Sequence, residues 1–522
     1  MKTDDNISSI EISNKNIIFI LLTVGIIGLA IRLHYTPFDI PITLDGLIYF
    51  WYALDMSILG KFPEGYNFPN NGWPTFLSLF FYLLPSNNFL DYMVLQRIVA
   101  EIISTVTIIP MYFLCRKFFG KFYSMIGSSL FILEPRLIIN STLGITESLF
   151  FLIGISSLTF FLSKNIKIVY LSFLAAGLFT LVRYEGLLLI IPLSIIFFIR
   201  FGKNKKSIIR YSIAIGIFIL ILLPMMIIRT ETTGSDGIVS HVVAGINHNF
   251  EDPKNDETYY FQVFSILIKN SVMYSGWILI PMYIWILPLS IFFILYKKEY
   301  KNRDYKKWLI VLYTIIMMIP ALYAFSREYQ ETRYLYFLFP VFSLMSFYVI
   351  RELEKWIPNK KLLTIMLLSF MIVVSITYLE YKGPNFDELR EKKEIGLLIA
   401  KSASGINSFN NDHYVKITYM DRDDFPILSS KLIEIPKIIP STGIDSLEKY
   451  IEINQKNGLS HLVIENEKSI QPEFLQKLFL ESEKIPYLIK VFDSKEMGFI
   501  YEVKIFKINY DKFELVNKIK LN

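Results

Sequence analysis

The sequence predicts a multi-pass α-helical membrane protein that ends in a small soluble α/β domain. Two observations indicate the membrane part. Of the 522 residues, 53% are hydrophobic and only 19% are charged, and apolar runs of about 20 residues, the length that crosses a bilayer, recur along the chain. A third observation indicates the domain, because acidic and basic residues become frequent and nearly balanced after residue 379. The predicted division is therefore 1–379 and 380–522.

Eleven apolar segments are predicted to cross the bilayer as α-helices. They are residues 17–34, 93–114, 122–139, 145–163, 168–182, 186–200, 211–228, 275–296, 308–325, 334–350 and 362–379. Segments 46–60 and 74–85 are too short to cross and too apolar for open water, so we predict interfacial helices in the first outer loop. The first span leaves through "LAIRLHY" without a small-residue cleavage site, which favours an anchor over a signal peptide.

Positive charge predicts the orientation of these spans, because cytoplasmic loops are enriched in Lys and Arg. With a cytoplasmic N-terminus, the inner segments hold 22 Lys and Arg, and the outer segments up to residue 379 hold 10. An odd number of spans then places the C-terminal domain outside the cell membrane. The single cysteine, Cys115, excludes a disulfide within the chain.

The C-terminal domain is predicted to alternate helices and strands. Helical patterns cover "DELREKKEIGLLIAK", with Asp387 as its cap, "SLEKYIEIN" and "PEFLQKLFLES". Strand patterns cover "YVKITYM", "HLVIE", "YLIKVF" and "FIYEVKIFKI". The segment "DRDDFP" at 421–426 is predicted to be a turn rather than a metal motif, because it lies in a charge-rich soluble region.

Charged residues collect where the topology places the outer ends of the spans. Ionisable groups at membrane depth cost about 2.5–3.5 kcal/mol each on insertion scales, so they usually face a partner or a cavity. One interpretation is that they pair and hold helices together; the other is that they converge to bind an anionic ligand. The set comprises Asp45, Arg97, Glu101, Glu134, Arg136, Glu147, Arg183, Glu185, Arg327, Glu328, Glu331 and Arg333.

A lipid-linked phosphosugar is the anionic ligand that this pattern suggests. Its tail would lie in the bilayer and its phosphate at the interface, where arginine binds phosphate with a planar, bidentate fork. Phosphate is a good leaving group, so sugar transfer needs little acid assistance but does need a base beside the acceptor hydroxyl. Asp45, which is followed by an apolar surface helix, is the candidate base.

The first outer loop, "LDGLIYFWYALDMSILGKFP" followed by "NFPNNGWPTFLSLFF", resembles that of the GT-C membrane glycosyltransferases. The similarity is to the group of protein O-mannosyltransferases (dolichyl-phosphate-mannose-protein mannosyltransferases) and aminoarabinose transferases. Later segments of that group are resembled in the same order, over roughly residues 17–350. These segments are "QRIVAEIISTVTIIPMYFLCRKFFGK", "EPRLIINSTLGITESLFFL", "LVRYEGLLLIIP" and "ETRYLYFLFP".

The resemblance implies transfer of a sugar from a polyprenyl-phosphate donor to a hydroxyl acceptor on the outer face of the membrane. The acceptor would be an exported protein, a glycan or a lipid. Asp45 corresponds to the catalytic aspartate, and Arg183 and Arg333 fall where positive charge meets the donor phosphate. Arg97 is a further candidate ligand of this phosphate. Many relatives carry a second acid after the aspartate, whereas Gly46 follows here, so a two-carboxylate scheme or metal site at this loop does not carry over.

Further candidates contact substrate or a divalent metal. Glu147 matches a recurring acid of the group, to which no role is assigned, and Glu185 lies beside Arg183. The loop "GSDGIVSHVVAGINHNFEDPKNDE" adds His248, and its imidazoles and carboxylates could bind a divalent metal. The alternative is a solvated loop that orders over the substrate. The acidic and imidazole residues of this loop are His241, His248, Glu251 and Asp252.

Each candidate also has a purely structural interpretation. Asp45 could cap the helix predicted at 46–60, because Asp is favoured at that position. Asp55, ten residues later, is expected to be a polar contact of the same helix. The arginines could be fixed in ion pairs with neighbouring acids: Arg183 with Glu185, Arg333 with Glu331, and Arg97 with Glu101 one turn along its helix.

Other functions fit the sequence less well. We find no P-loop, dinucleotide fingerprint or zinc pattern, and no basic module for nucleic acid. Residues 380–522 lack the Trp-Trp-Asp motif of oligosaccharyltransferases, which argues against whole-glycan transfer to asparagine. The alternative is a transporter or flippase of amphipathic anionic lipid-linked substrates, which predicts polar residues along the middles of the spans. A scaffold whose outer domain binds a partner is a third hypothesis.

Overall fold

The structure, a computed structural model, divides the chain into two compact units. Unit 1 comprises Met1–Thr36, Leu44–Tyr82 and Leu95–Gly383, and unit 2 comprises Pro37–Thr43, Leu83–Val94 and Pro384–Asn522. The described residues are 13–42, 44–64, 66, 68, 70–86, 88–241, 243, 257–298, 304–327, 331–402, 408–409, 437–438, 446–456, 458–466, 474, 477–479 and 485–521.

The described residues of the part predicted to lie in the membrane form helices joined by turns and loops, and none of these residues is in a strand. Its first helices are α1 Asn14–Tyr35, α2 Leu44–Leu59, α3 Gly72–Leu83, α4 Phe89–Val106, α5 Ile108–Arg116, α6 Lys121–Ile132, α7 Pro135–Thr142, α8 Glu147–Phe161 and α9 Ile166–Val182. The later helices are α10 Ile190–Phe201, α11 Lys205–Thr233, α12 Glu257–Trp277, α13 Tyr283–Tyr296, α14 Tyr305–Ser326, α15 Phe339–Trp356 and α16 Lys360–Lys382. Short 3₁₀ helices, Tyr184–Leu189 and Thr332–Leu338, precede α10 and α15.

The helices confirm a polytopic membrane protein. Among the described residues, seven helical runs are long and apolar enough to cross a membrane, and the bent pair α6–α7 would make an eighth. Three shorter apolar helices, α8, α9 and α13, occupy three further predicted spans. Eleven crossings therefore stay a prediction. The short segments predicted at 46–60 and 74–85 are helices α2 and α3, and their interfacial position also stays a prediction.

The predicted span 275–296 is wrong as a continuous helix. Helix α12 ends at Trp277, a turn with a cis Ile280–Pro281 bond follows, and α13 then begins. Pro281 has no N–H to donate, so it does not continue a helix. The carbonyls of Trp277 and Ile280 instead accept hydrogen bonds from the guanidinium of Arg136, at 2.7 and 2.8 Å, which satisfies the end of α12.

The predicted span 122–139 is also divided, into α6 and α7, whose axes differ by 47°. Glu134 caps α7, because its side chain accepts a hydrogen bond from the backbone N–H of Arg136 at 3.4 Å. Pro135 is the first residue of α7, where its missing N–H costs nothing. The break therefore follows from a cap and a proline that apolar periodicity alone does not detect.

Unit 1 shows the inside-out pattern of a membrane protein. Helix α1 exposes Phe19 and Leu22, 69% and 62% accessible, yet fully buries Arg32. The Arg32 guanidinium donates to the carbonyls of Gly28 and Ile132 at 2.9 and 3.1 Å. Helix α1 thus presents apolar side chains outward and hydrogen-bonds its buried cation to helix carbonyls inside, as expected in a lipid solvent. Cys115, at the end of α5, is likewise buried.

Unit 2 contains a three-stranded antiparallel sheet, in which Val503–Ile508 is the central strand between His461–Glu465 and Leu488–Asp493. Its packed core includes Tyr450, Ile451, Leu462, Phe506 and Phe513. The strands are β1 Ser408–Phe409, β2 Lys437–Ile438, β3 His461–Glu465, β4 Leu488–Asp493 and β5 Val503–Ile508, and the helices are α17 Asp387–Ser402, α18 Leu447–Gln455 and α19 Tyr510–Leu521.

Several predicted elements of unit 2 are confirmed and others are corrected. The segments "HLVIE" and "YLIKVF" form β3 and β4, whereas "FIYEVKIFKI" pairs only from Val503. Helix α17 begins at Asp387 itself, and the side chain of Asn385 accepts its backbone N–H at 2.9 Å, so Asn385 supplies the cap. Helix α19 was not predicted. The segments "YVKITYM" and 421–426 lie outside the described residues.

Candidate active site

Asp45 lies in the first turn of α2, with its side chain 49% exposed. Its Oδ2 accepts a hydrogen bond from Nη1 of Arg333 at 2.9 Å, although the two residues are 288 positions apart in sequence. Because α2 begins at Leu44, Asp45 is inside the helix, and its predicted role as the cap of 46–60 is wrong. A carboxylate in the first turn is still favoured by the helix dipole.

Arg333 lies in the 3₁₀ helix that precedes α15. It forms an ion pair with Glu331 as well as with Asp45, and its guanidinium lies 5.7 Å from the ring centroid of Tyr334. The predicted pair with Glu331 is therefore present. The side chain of Arg333 is 27% exposed, and both of its carboxylate partners are about half exposed, at 49% and 53%. Water therefore screens these two ion pairs, which weakens them.

Arg183 joins α9 to the following 3₁₀ helix in an extended conformation, with φ −146° and ψ 127°. Its Nη1 donates to Glu147 Oε1 at 2.7 Å, and its Nη2 and Nε donate to Glu185 at 2.8 and 3.4 Å. The three side chains are 18%, 5% and 11% exposed, in the order Arg183, Glu147, Glu185. This cluster is much drier than the pair of Asp45 and Arg333, so its Coulomb interactions are stronger.

The two arginine clusters meet at one small cavity. Glu147, Arg183, Glu185 and Arg333 line it, together with Tyr334 and apolar residues of α8 and α14, and its volume is about 40 Å³. The charge of Glu147 acts on Arg333 as well as on Arg183. Side chains from α8, the α9–α10 connection and the α14–α15 connection therefore form one polar site, and Asp45 joins it through Arg333.

Carboxylates outnumber arginines in this site. Asp45 and Glu331 pair with Arg333, and Glu147 and Glu185 pair with Arg183. The described cluster therefore carries two more negative than positive formal charges when all groups are ionised. An anionic ligand must displace a carboxylate from an arginine or arrive with a cation.

The structure places Arg97 away from this cavity. Arg97 is buried in α4, and its charge acts on Glu101, which is also buried. The hydroxyl of Thr36 donates to Glu101, and Arg32 is a second nearby cation. The interaction of Arg97 with Glu101 supports the ion-pair interpretation, and the role of Arg97 as a phosphate ligand stays a prediction. Asp55 is similarly internal: it is buried and accepts a hydrogen bond from Tyr66 at 2.7 Å.

His241 is the only member of the predicted loop cluster within the described residues. Its ring lies 4.5 Å from that of Tyr184, and the charge of Glu185 acts on it. Burial lowers the pKa of His241 below its ordinary value, while Glu185 opposes this shift. The other members, His248, Glu251 and Asp252, and also Glu328, lie outside the described residues. Within the described part of the chain, no three acidic, histidine or cysteine side chains form a metal cluster.

Gln96 is a positioning residue that sequence reasoning missed. Its Nε2 donates to the carbonyl of Gly46, the residue after Asp45, at 3.0 Å and to the carbonyl of Gly144 at 2.8 Å. The indole of Trp73 donates to the same Gly144 carbonyl at 3.0 Å. Gln96 thus fixes the start of α2 against the turn before Glu147. A buried amide in an apolar span was the signal that could have found it.

Gly72 is a second such residue. A Cβ atom added there would lie 2.6 Å from the backbone carbon of Leu181 and 2.7 Å from the backbone nitrogen of Val182. The start of α3 therefore packs directly on the last turn of α9, just before Arg183. Only glycine permits this approach.

No family model matches the chain, and no curated protein matches it in sequence. The Archaeoglobus fulgidus oligosaccharyltransferase, tethered with an acceptor peptide containing the NVT sequon, matches with a TM-score of 0.57 and 13% identity over 87% of this chain and 69% of that one. The same organism's oligosaccharyltransferase AglB, in complex with an inhibitory peptide and a dolichol-phosphate, matches at 0.56 and 12%, over 86% and 69%.

ArnT from Cupriavidus metallidurans bound to undecaprenyl phosphate matches with a TM-score of 0.57 and 9% identity, over 95% of this chain and 98% of that one. Identities this low show the fold alone. The structural neighbours are GT-C membrane glycosyltransferases. The chain therefore has a GT-C-like fold: a polytopic helical membrane part followed by a small domain with a β-sheet.

Proposed function

We propose that the chain is a membrane glycosyltransferase that moves a sugar from a polyprenyl-phosphate donor to a hydroxyl acceptor on the outer face of the membrane. The observation that carries this proposal is a convergence of four separate segments: Glu147, Arg183 and Arg333 line one cavity, and Asp45 is hydrogen-bonded to Arg333. Structures of the same fold contain undecaprenyl phosphate or a dolichol-phosphate, which supports a lipid-phosphate donor.

Asp45 is the proposed general base. The acceptor oxygen attacks the anomeric carbon while its proton passes to the Asp45 carboxylate, and the bond from that carbon to the phosphate oxygen breaks. The polyprenyl phosphate leaves with the bonding electrons, and a single displacement inverts the anomeric configuration. The half-exposed position of Asp45 leaves its carboxylate accessible to an acceptor.

Arg333 is the proposed first ligand of the donor phosphate. Its ion pairs with Asp45 and Glu331 are partly exposed to solvent, so replacing one of these carboxylates by a phosphate costs little free energy. Arg183, in contrast, is paired with two buried carboxylates. When phosphate takes the place of Asp45 on Arg333, the carboxylate is released to accept the proton. Donor binding would thereby free the Asp45 carboxylate to act as the base. Arg183, which stays paired with its carboxylates, would contribute positive charge to the same cavity.

The experiment is sugar transfer by the purified full chain in nanodiscs. A panel of radiolabelled polyprenyl-phosphate sugars is supplied with mixed exported-protein acceptors. Asp45→Asn should lower turnover by about 10²–10⁴-fold, the range for loss of a positioned base, while native mass spectrometry shows retained donor binding. Asp91→Asn, at another exposed aspartate, is the charge-matched control and should transfer normally. Normal transfer by Asp45→Asn would contradict the assignment, and donor binding without any transfer would indicate transport.

The finer features of the reaction are also proposals. The sequence resemblance supports an O-mannosyltransferase-like or aminoarabinose transferase-like reaction, and no tryptophan occurs in residues 380–522 to form the oligosaccharyltransferase motif. Glu147 and Glu185 are the described side chains that could contact a divalent cation, which the excess of carboxylates would accommodate. Activity that survives chelation with EDTA would restrict both glutamates to positioning Arg183.

A further inference from the structure

A second and much larger cavity lies in unit 1, with a volume of about 1050 Å³. Its lining extends along α14 from Lys306 to Ile315 and along α15 from Val341 to Arg351, and it includes the turn that follows α5. Four cations line it: Lys117, Lys306, Lys307 and Arg351. Asp304 is the one carboxylate among its described lining residues. None of these residues belongs to the candidate active site.

The charged end of this cavity and the candidate active site lie at opposite ends of the α14–α15 pair. On α14, residues from Lys306 to Ile315 line the basic cavity, and Met317 and Pro320 line the candidate active site. Arg333 and Arg351 are joined by two 3₁₀ turns and most of α15, which together rise by about 30 Å. The hydrocarbon core of a bilayer is also about 30 Å thick. The basic end of the cavity, at Lys306 and Arg351, is therefore placed at the membrane interface opposite Asp45.

The apolar and the cationic residues of this cavity lie in different parts of it. Aromatic and aliphatic side chains, including Phe119, Trp308 and Leu344, form its walls. The cations gather at the helix ends: the Lys306 ammonium donates to the Lys117 carbonyl at 3.1 Å. Burial lowers the pKa of Lys117, and the charges of Lys306 and Arg200 lower it further. Like charges held this close would be relieved by a bound anion.

We propose that this cavity binds an anionic phospholipid from the leaflet beside the basic loops, with its phosphate at Lys117 and Arg351 and an acyl chain along the apolar wall. Charge complementarity selects this occupant, because basic pockets between membrane helices on the cytoplasmic side bind anionic headgroups. Lysines that only set the orientation of the protein in the membrane do not need to line an apolar cavity. Lys203 and Lys205 illustrate this: they are exposed and are not among the residues that line the cavity.

Native mass spectrometry of the full chain tests the proposal with two lipids of matched acyl chains, phosphatidylglycerol and phosphatidylcholine. The wild-type protein should bind phosphatidylglycerol at least tenfold more tightly. Lys117→Gln/Arg351→Gln should reduce that preference to below threefold, whereas Lys203→Gln/Lys205→Gln, which removes the same charge outside the cavity, should retain it. Equal losses in both double variants would overturn the proposal, as would equal binding of the two lipids by wild type.

A charge-neutral pair of variants tests the apolar wall. Val311 lines the cavity and is 45% exposed, and Ile319, on the same helix, is 49% exposed but does not line it. Val311→Trp should weaken phosphatidylglycerol binding at least fivefold, and Ile319→Trp should leave it unchanged. Unchanged binding in Val311→Trp would overturn the proposed acyl-chain position. Because the readout is lipid binding, these results are independent of sugar transfer.

Discussion

At the scale of single residues, Arg183 is the most constrained side chain of the candidate site. It neutralises Glu147 and Glu185, which are 5% and 11% exposed. Arg183→Gln would leave two buried carboxylates without a counter-charge, and breaking a buried pair in this way costs about 3–5 kcal/mol. We expect a markedly lower thermal unfolding temperature, measured in detergent.

A second variant separates this effect from catalysis. Arg183→Gln/Glu185→Gln removes one of the two stranded carboxylates, so it should recover part of the lost stability without recovering sugar transfer. Double-mutant comparison of this kind isolates the interaction of neighbouring groups. An unfolding temperature of Arg183→Gln equal to that of wild type would show that Glu147 and Glu185 do not depend on the arginine.

Arg333 should behave differently from Arg183, because its carboxylate partners are half exposed. Arg333→Lys keeps the positive charge but loses the planar fork that binds phosphate. We expect at least a tenfold weaker donor affinity with nearly unchanged stability, measured by titration of the polyprenyl-phosphate donor. A large loss of stability with unchanged donor affinity would assign Arg333 to structure alone.

The residue types of the site could be predicted, but their pairing could only partly be predicted. Arg183 and Glu185 are two positions apart, and Glu331 and Arg333 likewise, so sequence proximity suggested both pairs. The contact between Asp45 and Arg333 joins residues 288 positions apart, and no local pattern encodes it. Arg97 was selected for its depth in a span, a property that a purely structural ion pair shares.

At the scale of secondary-structure elements, the approach of α3 to α9 places Arg183. The backbone of Leu181 lies within 2.7 Å of the position that a Gly72 Cβ would occupy. Gly72→Ala must therefore push α3 away from the end of α9, and we expect at least a tenfold loss of transfer activity with lower thermal stability. Gly216→Ala is the matched control, because nothing lies within 4 Å of its added Cβ.

The existence of the helices was predictable and their interruptions were not. Hydropathy reports how apolar a segment is, and α13 is apolar, so the predicted span extended from α13 back through the turn into the last residues of α12. Turns at Pro281 and Pro135 divide the predicted spans, and polar side chains from distant helices bind carbonyls there: Arg136 at the first turn, and Arg32 and Ser375 just before the second. A single-sequence pattern contains the prolines but not the partners.

At the scale of the whole molecule, unit 2 should respond to acid through His461. Burial lowers the pKa of this histidine to about 4, whereas an unfolded histidine titrates near about 6.5. Between these two pH values the unfolded state therefore binds more protons than the folded state. The contribution of His461 to the free energy of unfolding is full above about pH 6.5, and it falls by at most about 3 kcal/mol as the pH decreases towards 4. Hydrogen exchange of β3 and β5 in the full chain should accelerate in this window, after correction for intrinsic rates. His461→Gln should abolish the dependence.

Unit 2 also contains segments that a division of the chain by sequence alone does not assign to it. Hydropathy places a boundary near residue 380, yet the segments Pro37–Thr43 and Leu83–Val94 cluster with the C-terminal residues. Asp39 shows why: it pairs with Arg390 at 2.6 Å across 351 residues of sequence. The Arg390 guanidinium lowers the pKa of the Asp39 carboxyl. Such a contact is fixed by folding and leaves no periodic signal.

Because Cys115 is buried, the protein without an introduced cysteine should react very little with thiol-labelling reagents. Cys115 is 1% exposed, so a membrane-impermeant maleimide should not reach it in the folded chain. A cysteine introduced by Lys61→Cys or Lys203→Cys would then be the sole reactive thiol, at exposed positions that the charge pattern predicts on opposite faces. Intact cells should label the first variant, and the second only after permeabilisation. The reverse order would invert the predicted orientation.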